Sequence, residues 1–108
     1  MRYGLVLFES HRYAGWSSCR KTVEVVGPPE ALRSRMRPWA LDVIRSERLD
    51  DGEYYVQLVK LDEEHGFLTN DVLEVEDVFW FYGEEYVPAS VYDRCQSADP
   101  RAAAHSVG

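Results

Sequence analysis

Apolar positions fall along this chain first in a strand rhythm, then in a helix rhythm, then in a strand rhythm again. Tyr3–Glu9 is a short run of aromatic and branched residues, which predicts a buried strand. Ser10–Cys19 holds no sustained period and contains Gly15 and several small polar residues, so a loop is expected there. Across Arg20–Val26, Val23 and Val25 alternate with Thr22 and Glu24, the mark of a half-buried strand closed by Gly27-Pro28-Pro29. Leu32, Met36, Ala40, Val43 and Ile44 then recur at spacings of four, four, three and one, giving one apolar helical face. Proline suits the first helical position, and Glu30 suits the positive end of the helix dipole. The pattern predicts a helix over Pro29–Leu49, interrupted near Pro38, whose ring and missing N–H disfavour a helix interior.

Period two returns after the turn signal Asp51-Gly52. Tyr54–Leu61 reads as a strand and Asp62–Gly66 as a polar turn. Val72–Asp77 reads as an alternating strand that continues through Val78–Tyr82. Gly83-Glu84-Glu85 is a turn signal, and Tyr86–Val91 is expected as a last short strand. The order is β-β-α-β-β-β. It predicts a small α+β domain, an antiparallel sheet of about five strands with one kinked helix, over residues 1–96. Ser97–Gly108 has no apolar face and is expected as a flexible C-terminal tail.

Composition agrees with one domain: 108 residues, 45% of them hydrophobic and 29% charged, are ordinary globular values. The longest apolar run near the N-terminus, Leu5–Phe8, is too short for a signal peptide or a membrane span. A cytoplasmic protein starting at Met1 is therefore expected, with Cys19 and Cys95 as reduced thiols.

Charge changes the picture more. The net value of −7 argues against a protein that coats nucleic acid or an anionic membrane. It is also unevenly divided. Residues 1–49 carry nine basic and five acidic residues, or +4, and residues 50–108 carry three basic and fourteen acidic, or −11. Arg33, Arg35 and Arg37 are candidate counter-charges, either inside the chain or across a dimer.

Candidate chemistry is sparse. Ser10–Cys19 offers His11, Tyr13, Ser17, Ser18 and Cys19, and a thiolate nucleophile at Cys19 needs a base such as His11 or His65. The commoner reading makes Cys19 a small buried hydrophobe at a strand start. The histidines and cysteines lack the paired spacings of zinc sites, the Asp62-Glu63-Glu64 run is not an EF-hand loop, and the glycines are isolated. No catalytic residue, metal ligand or cofactor is assigned on these grounds.

Gly83–Tyr92 resembles the end of an SH3 domain, and Asn70–Val75 resembles the acidic stretch that precedes it in that family. The resemblance implies a proline-peptide groove lined by Trp80, Pro88 and Tyr92. The sequence departs from the family by an extra residue between Pro88 and Tyr92, a short gap after Trp80 and no opening Ala-Leu-Tyr motif. An SH3-like peptide-binding module is therefore an alternative, as is a small Cys19-dependent enzyme.

The leading expectation comes from acids interleaved with aromatics. Residues 50–93 hold thirteen acids and nine aromatic residues. Alternation places Phe79 and Phe81 on one strand face and Trp80 and Tyr82 on the other, so one pair needs a second cover or a partner. Trp80 and Tyr82, with a rim of Glu74, Glu76, Glu84 and Glu85 and with Trp16 in the loop, are the candidate partner-binding residues. The function expected is a non-catalytic interaction module, an inhibitor or regulator. It masks a basic, nucleic-acid-binding surface of another protein, as immunity and anti-defence proteins do. It needs no direct contact with nucleic acid or membrane. A homodimer through an exposed strand or the aromatic face is a further expectation.

Overall fold

The computed structural model describes residues 2–11, 14–62, 64 and 66–87, with backbone alone for 66–70, and these described residues form five strands and one helix. The elements are β1 (Tyr3–His11), β2 (Trp16–Val25), α1 (Pro29–Ser46), β3 (Gly52–Asp62), β4 (Gly66–Phe81) and β5 (Glu84–Glu85). All pairings are antiparallel, and the sheet order is β2-β1-β3-β4-β5. This is the expected α+β fold.

Alternation along the strands sorts side chains to two faces. Leu5 and Leu7 of β1, Tyr54, Val56 and Leu58 of β3, and Val78 and Trp80 of β4 meet the helix stripe Leu32, Met36, Ala40, Val43 and Ile44 in one core. Each buried Val, Leu, Ile or Met in it contributes about 1.5–3 kcal/mol of transfer free energy. On the other face Val6, Val59 and Leu61 form a smaller cluster with Phe8 packed on it. Phe8 lies opposite Tyr55, and their rings stack at 4.9 Å.

Four local departures from expectation have physical causes. Ser10–Cys19 is not a loop. β1 extends to His11 and β2 begins at Trp16, around a short turn in which the N–H groups of Ala14 and Gly15 donate to the His11 carbonyl. Gly15 supplies the positive φ of 75° that the turn requires. His11 and Trp16 are cross-strand partners with rings stacked at 4.1 Å, and this pairing extends the strands through a polar stretch.

The helix runs unbroken through Pro38. The missing N–H leaves the Ser34 carbonyl without its helical donor, but both residues are exposed, so water can fill that place.

The helix stops at Ser46 and not at Leu49. Arg48 adopts φ 52°, its N–H donates to the Arg45 carbonyl at 3.3 Å, and the Leu49 N–H donates to the Ile44 carbonyl at 3.0 Å. That is a Schellman stop with arginine in the glycine position, and Leu49 folds back onto the core.

The last strand is Glu84–Glu85, while Tyr86–Val87 lie beyond it and the rest of the expected strand falls outside the described residues. A two-residue turn, Tyr82-Gly83, has φ of 52° and 79° and connects Phe81 to its partner Glu84. Two successive positive φ values define a type I′ hairpin, whose twist matches that of the strands. The expected C-terminal tail, Pro88, Tyr92, Cys95 and His65 also fall outside the described residues.

Candidate functional site

The acidic, aromatic half is built on β4 and β5, and α1 decides which of its residues reach the surface. Arg33 and Arg37 stand one helical turn apart beside the apolar stripe and reach over the sheet. Arg33 Nε lies 3.0 Å from Glu74 Oε2, and Arg37 Nε lies 2.8 Å from Glu76 Oε1. Arg37 also pairs through Nη1 with Glu85 and donates from Nη2 to the Asp77 carbonyl at 2.7 Å. Glu74, Glu76 and Glu85 therefore find their counter-charges within the chain. Each pair is partly exposed, which limits it to about 1 kcal/mol or less.

Trp80 is not a surface residue. It points to the helix side, is 5% exposed, and carries the Arg45 guanidinium at 5.4 Å from its ring centroid. As a partner contact it is excluded by burial; its size serves the core instead. Tyr82 has left the strand face altogether. It occupies the I′ turn, is 82% exposed, and its backbone N–H donates to Asp51 Oδ1 at 2.9 Å. Glu84 is exposed beside it.

The face away from the helix holds Phe79 and Phe81, as alternation requires. Phe79 is buried and packs against Tyr86 with centroids 5.7 Å apart. Phe81 is half open to solvent, lies 4.1 Å from the Tyr82 ring and meets Tyr86 edge-on at 5.9 Å. Phe81, Tyr82 and Tyr86 thus form an aromatic tip. The sequence names Tyr82 but misses Phe81 and Tyr86, because the fate of each aromatic pair depends on which face the helix covers. Val72, Leu73 and Val75 are also exposed apolar residues on β4.

The same end of the sheet, on its β1–β2 side, holds the reactive-looking group. His11 Nε2 and Ser18 Oγ lie 2.7 Å apart, with Trp16 stacked on the imidazole. Trp16 is exposed and belongs to this cluster, not to the acidic tip. Cys19 is free and exposed, not buried as the commoner reading expects. Its strand neighbour Ser18 pairs with Glu9 and shares the His11 side, so alternation turns the thiol to the other face. The structure therefore brings His11 to Ser18 and does not bring it to Cys19. A cavity of about 460 Å³ is lined by Glu9, Ser10, His11, Ala14, Asp51, Gly52 and Glu53. Among the described residues no group of three or more His, Cys, Asp or Glu side chains is placed to hold a metal ion, and no helix is long and apolar enough to cross a membrane.

No protein-family model matches the chain, and neither a curated protein nor a solved structure matches it significantly.

Proposed function

We propose that this protein is a non-catalytic interaction module, an inhibitor or regulator that covers a basic, nucleic-acid-binding surface of a partner protein in the manner of immunity or anti-defence proteins. The observation that carries the reading is the aromatic tip: Tyr82 and Tyr86 each packed on Phe81, with Phe81 and Tyr82 exposed and Glu84 alongside. Aromatic residues supply contact area at low entropic cost, and surrounding carboxylates steer a basic partner toward them. The tip is held in place by the I′ turn and by the Asp51–Tyr82 hydrogen bond, so little ordering remains to oppose binding. Phe79, buried on the same face, supports the tip through its contact with Tyr86.

The test uses the chain immobilised at low salt, capture of partner protein from the source cells, and elution on a salt gradient. The reading expects a captured protein that binds nucleic acid, loses that binding when the chain is added, and elutes as salt screens the contact. Tyr82→Ala with Glu84→Lys should abolish capture, since neither residue is in the core and Glu84 has no part in the Arg33 and Arg37 pairs. Undiminished capture by that double variant, at unchanged thermal stability, would sink the proposal.

A further inference from the structure

β4 presents a second surface, along its outer side, that the aromatic tip does not include. The strand is sixteen residues long, yet β5 pairs only with Trp80 and Phe81. Among the described residues no strand lies outside β4 over residues 71–78. The direction of its polar groups follows from two hydrogen bonds. The Phe79 carbonyl accepts from the Tyr86 N–H at 3.0 Å, and the Asp77 carbonyl accepts from Arg37 Nη2 at 2.7 Å, so both point away from β3. Backbone groups alternate sides along a strand, so the N–H and carbonyl of Val75 and the N–H of Asp77 point outward too.

Edges of this kind are usually blunted by lysine, by proline or by a bulge. Between Asp71 and Phe81 there is neither lysine nor proline. A register shift at Leu58/Val59 makes Leu73 the extra residue of a bulge, so the regular edge is 74–78. Val75 within it is 51% exposed, and Val72 and Leu73 just before it are 48% and 38% exposed. Asp71, Glu74, Glu76 and Asp77 stand among them, four carboxylates against three cations: Arg33 and Arg37, which reach Glu74 and Glu76 from the helix, and Lys60, the ladder partner of Asp71.

The geometry points to the 74–78 edge of β4 as a strand-addition site for an extended, basic segment of a partner protein. The added strand pairs with the N–H and carbonyl of Val75 and the N–H of Asp77, the Asp77 carbonyl being held by Arg37, sets apolar side chains against Val75, and sets lysines or arginines among the carboxylates. This inference rests on the proposed interaction role and names how the basic partner would be held.

The probe is an acetylated and amidated peptide of about eight residues alternating Lys and Val, carrying a fluorescent label and read by anisotropy. A second version carries N-methyl groups along one edge, which removes the donors while keeping every charge. We expect the first to bind at low salt, and expect N-methylation or Val75→Lys to weaken it by about tenfold or more, as loss of directional hydrogen bonds or an added like charge requires. Asp77→Lys should act in the same direction, with far-UV circular dichroism and thermal midpoint unchanged as the folding control. Equal binding of both peptides overturns strand addition and leaves the interaction role standing. No peptide binding, together with no salt-sensitive capture of a partner, overturns both. No peptide binding with a concentration-dependent dimer that Val75→Lys dissolves assigns the edge to a second copy and overturns the basic-partner claim.

Discussion

The two long strands that leave backbone groups unpaired at the sides of the sheet meet the same physical problem in opposite ways. β2 and β4 each leave a row of backbone groups beyond the last ladder. β2 answers with charge and polarity: Arg20, Lys21 and Glu24 are exposed along it, and a register shift at Leu7/Phe8 bends it. Its charges are also committed. Arg2 holds Glu24 through two hydrogen bonds of 2.7 and 2.9 Å, which keep that carboxyl below its usual pKa, and Lys21 reaches Glu47 at 3.4 Å. β4 keeps exposed valine and leucine, and its acids outnumber the arginines that meet them. The contrast teaches that an unpaired edge is a matter of chemistry as much as of topology. One edge repels strand pairing and the other retains the means for it.

The sharpest way to break this comparison is to remove each strand's tryptophan. Trp80→Ala should cost about 3–5 kcal/mol, because it empties a site sealed by the helix and Arg45. Trp16→Ala should stay within about 0.5 kcal/mol, its ring being stacked on His11 at the surface. Urea unfolding curves for both variants decide the matter, and similar losses would mean that the two edges are anchored alike.

Next in size is an alkaline transition at β3, the strand that joins the two sides. Tyr54 lies between Glu9 of β1 and Val78 of β4, and its hydroxyl donates to the Asp50 carbonyl. Burial first, and the Glu9 charge second, push its pKa from 10.0 to about 12. The folded value lies above the unfolded one, so this stability is complete below pH 10 and is lost as pH rises toward 12. The loss should reach about 2 kcal/mol. Tyr54→Phe should flatten the pH profile over that range while lowering stability at neutral pH by about 1 kcal/mol, for the lost hydrogen bond. Unfolding midpoints at pH 8, 10 and 11.5 test both statements.

The smallest contrast concerns the arginine and lysine that join the strands to the helix. Arg37→Ala removes a side chain with three acceptors on β4 and β5 and should cost about 1 kcal/mol. Lys21→Ala removes one exposed pair and should cost less than about 0.5 kcal/mol. Equal values would show that the β4 side holds no tighter than the β2 side.

Much of the fold was legible because periodicity reports burial. The spacing of Leu32, Met36, Ala40, Val43 and Ile44 placed the helix face correctly, and each of these residues is buried. What was not legible depended on partners far along the chain. Ser10–Cys19 has no period of its own and becomes strand through pairing with its neighbours across the turn. Arg48 ends the helix without the glycine that usually signals a stop. Phe79–Tyr82 announces two faces but not which one α1 covers, so nothing in the pattern itself separates the buried Trp80 from the exposed Phe81. The clustering of acids could be counted, but not how Arg33 and Arg37, some forty positions away, would claim several of them.

Arg37 has one more consequence, for the way the molecule opens. A single guanidinium joins the middle of α1 to Glu76 and the Asp77 carbonyl on β4 and to Glu85 on β5. β5 is only two residues long, and Arg37 ties it to α1. Detachment of the helix and release of the terminal hairpin are therefore coupled: a fluctuation that lifts one loosens the other. The amides of Tyr82–Tyr86 then exchange with solvent in a unit with those of the helix, at a free energy below that of global unfolding.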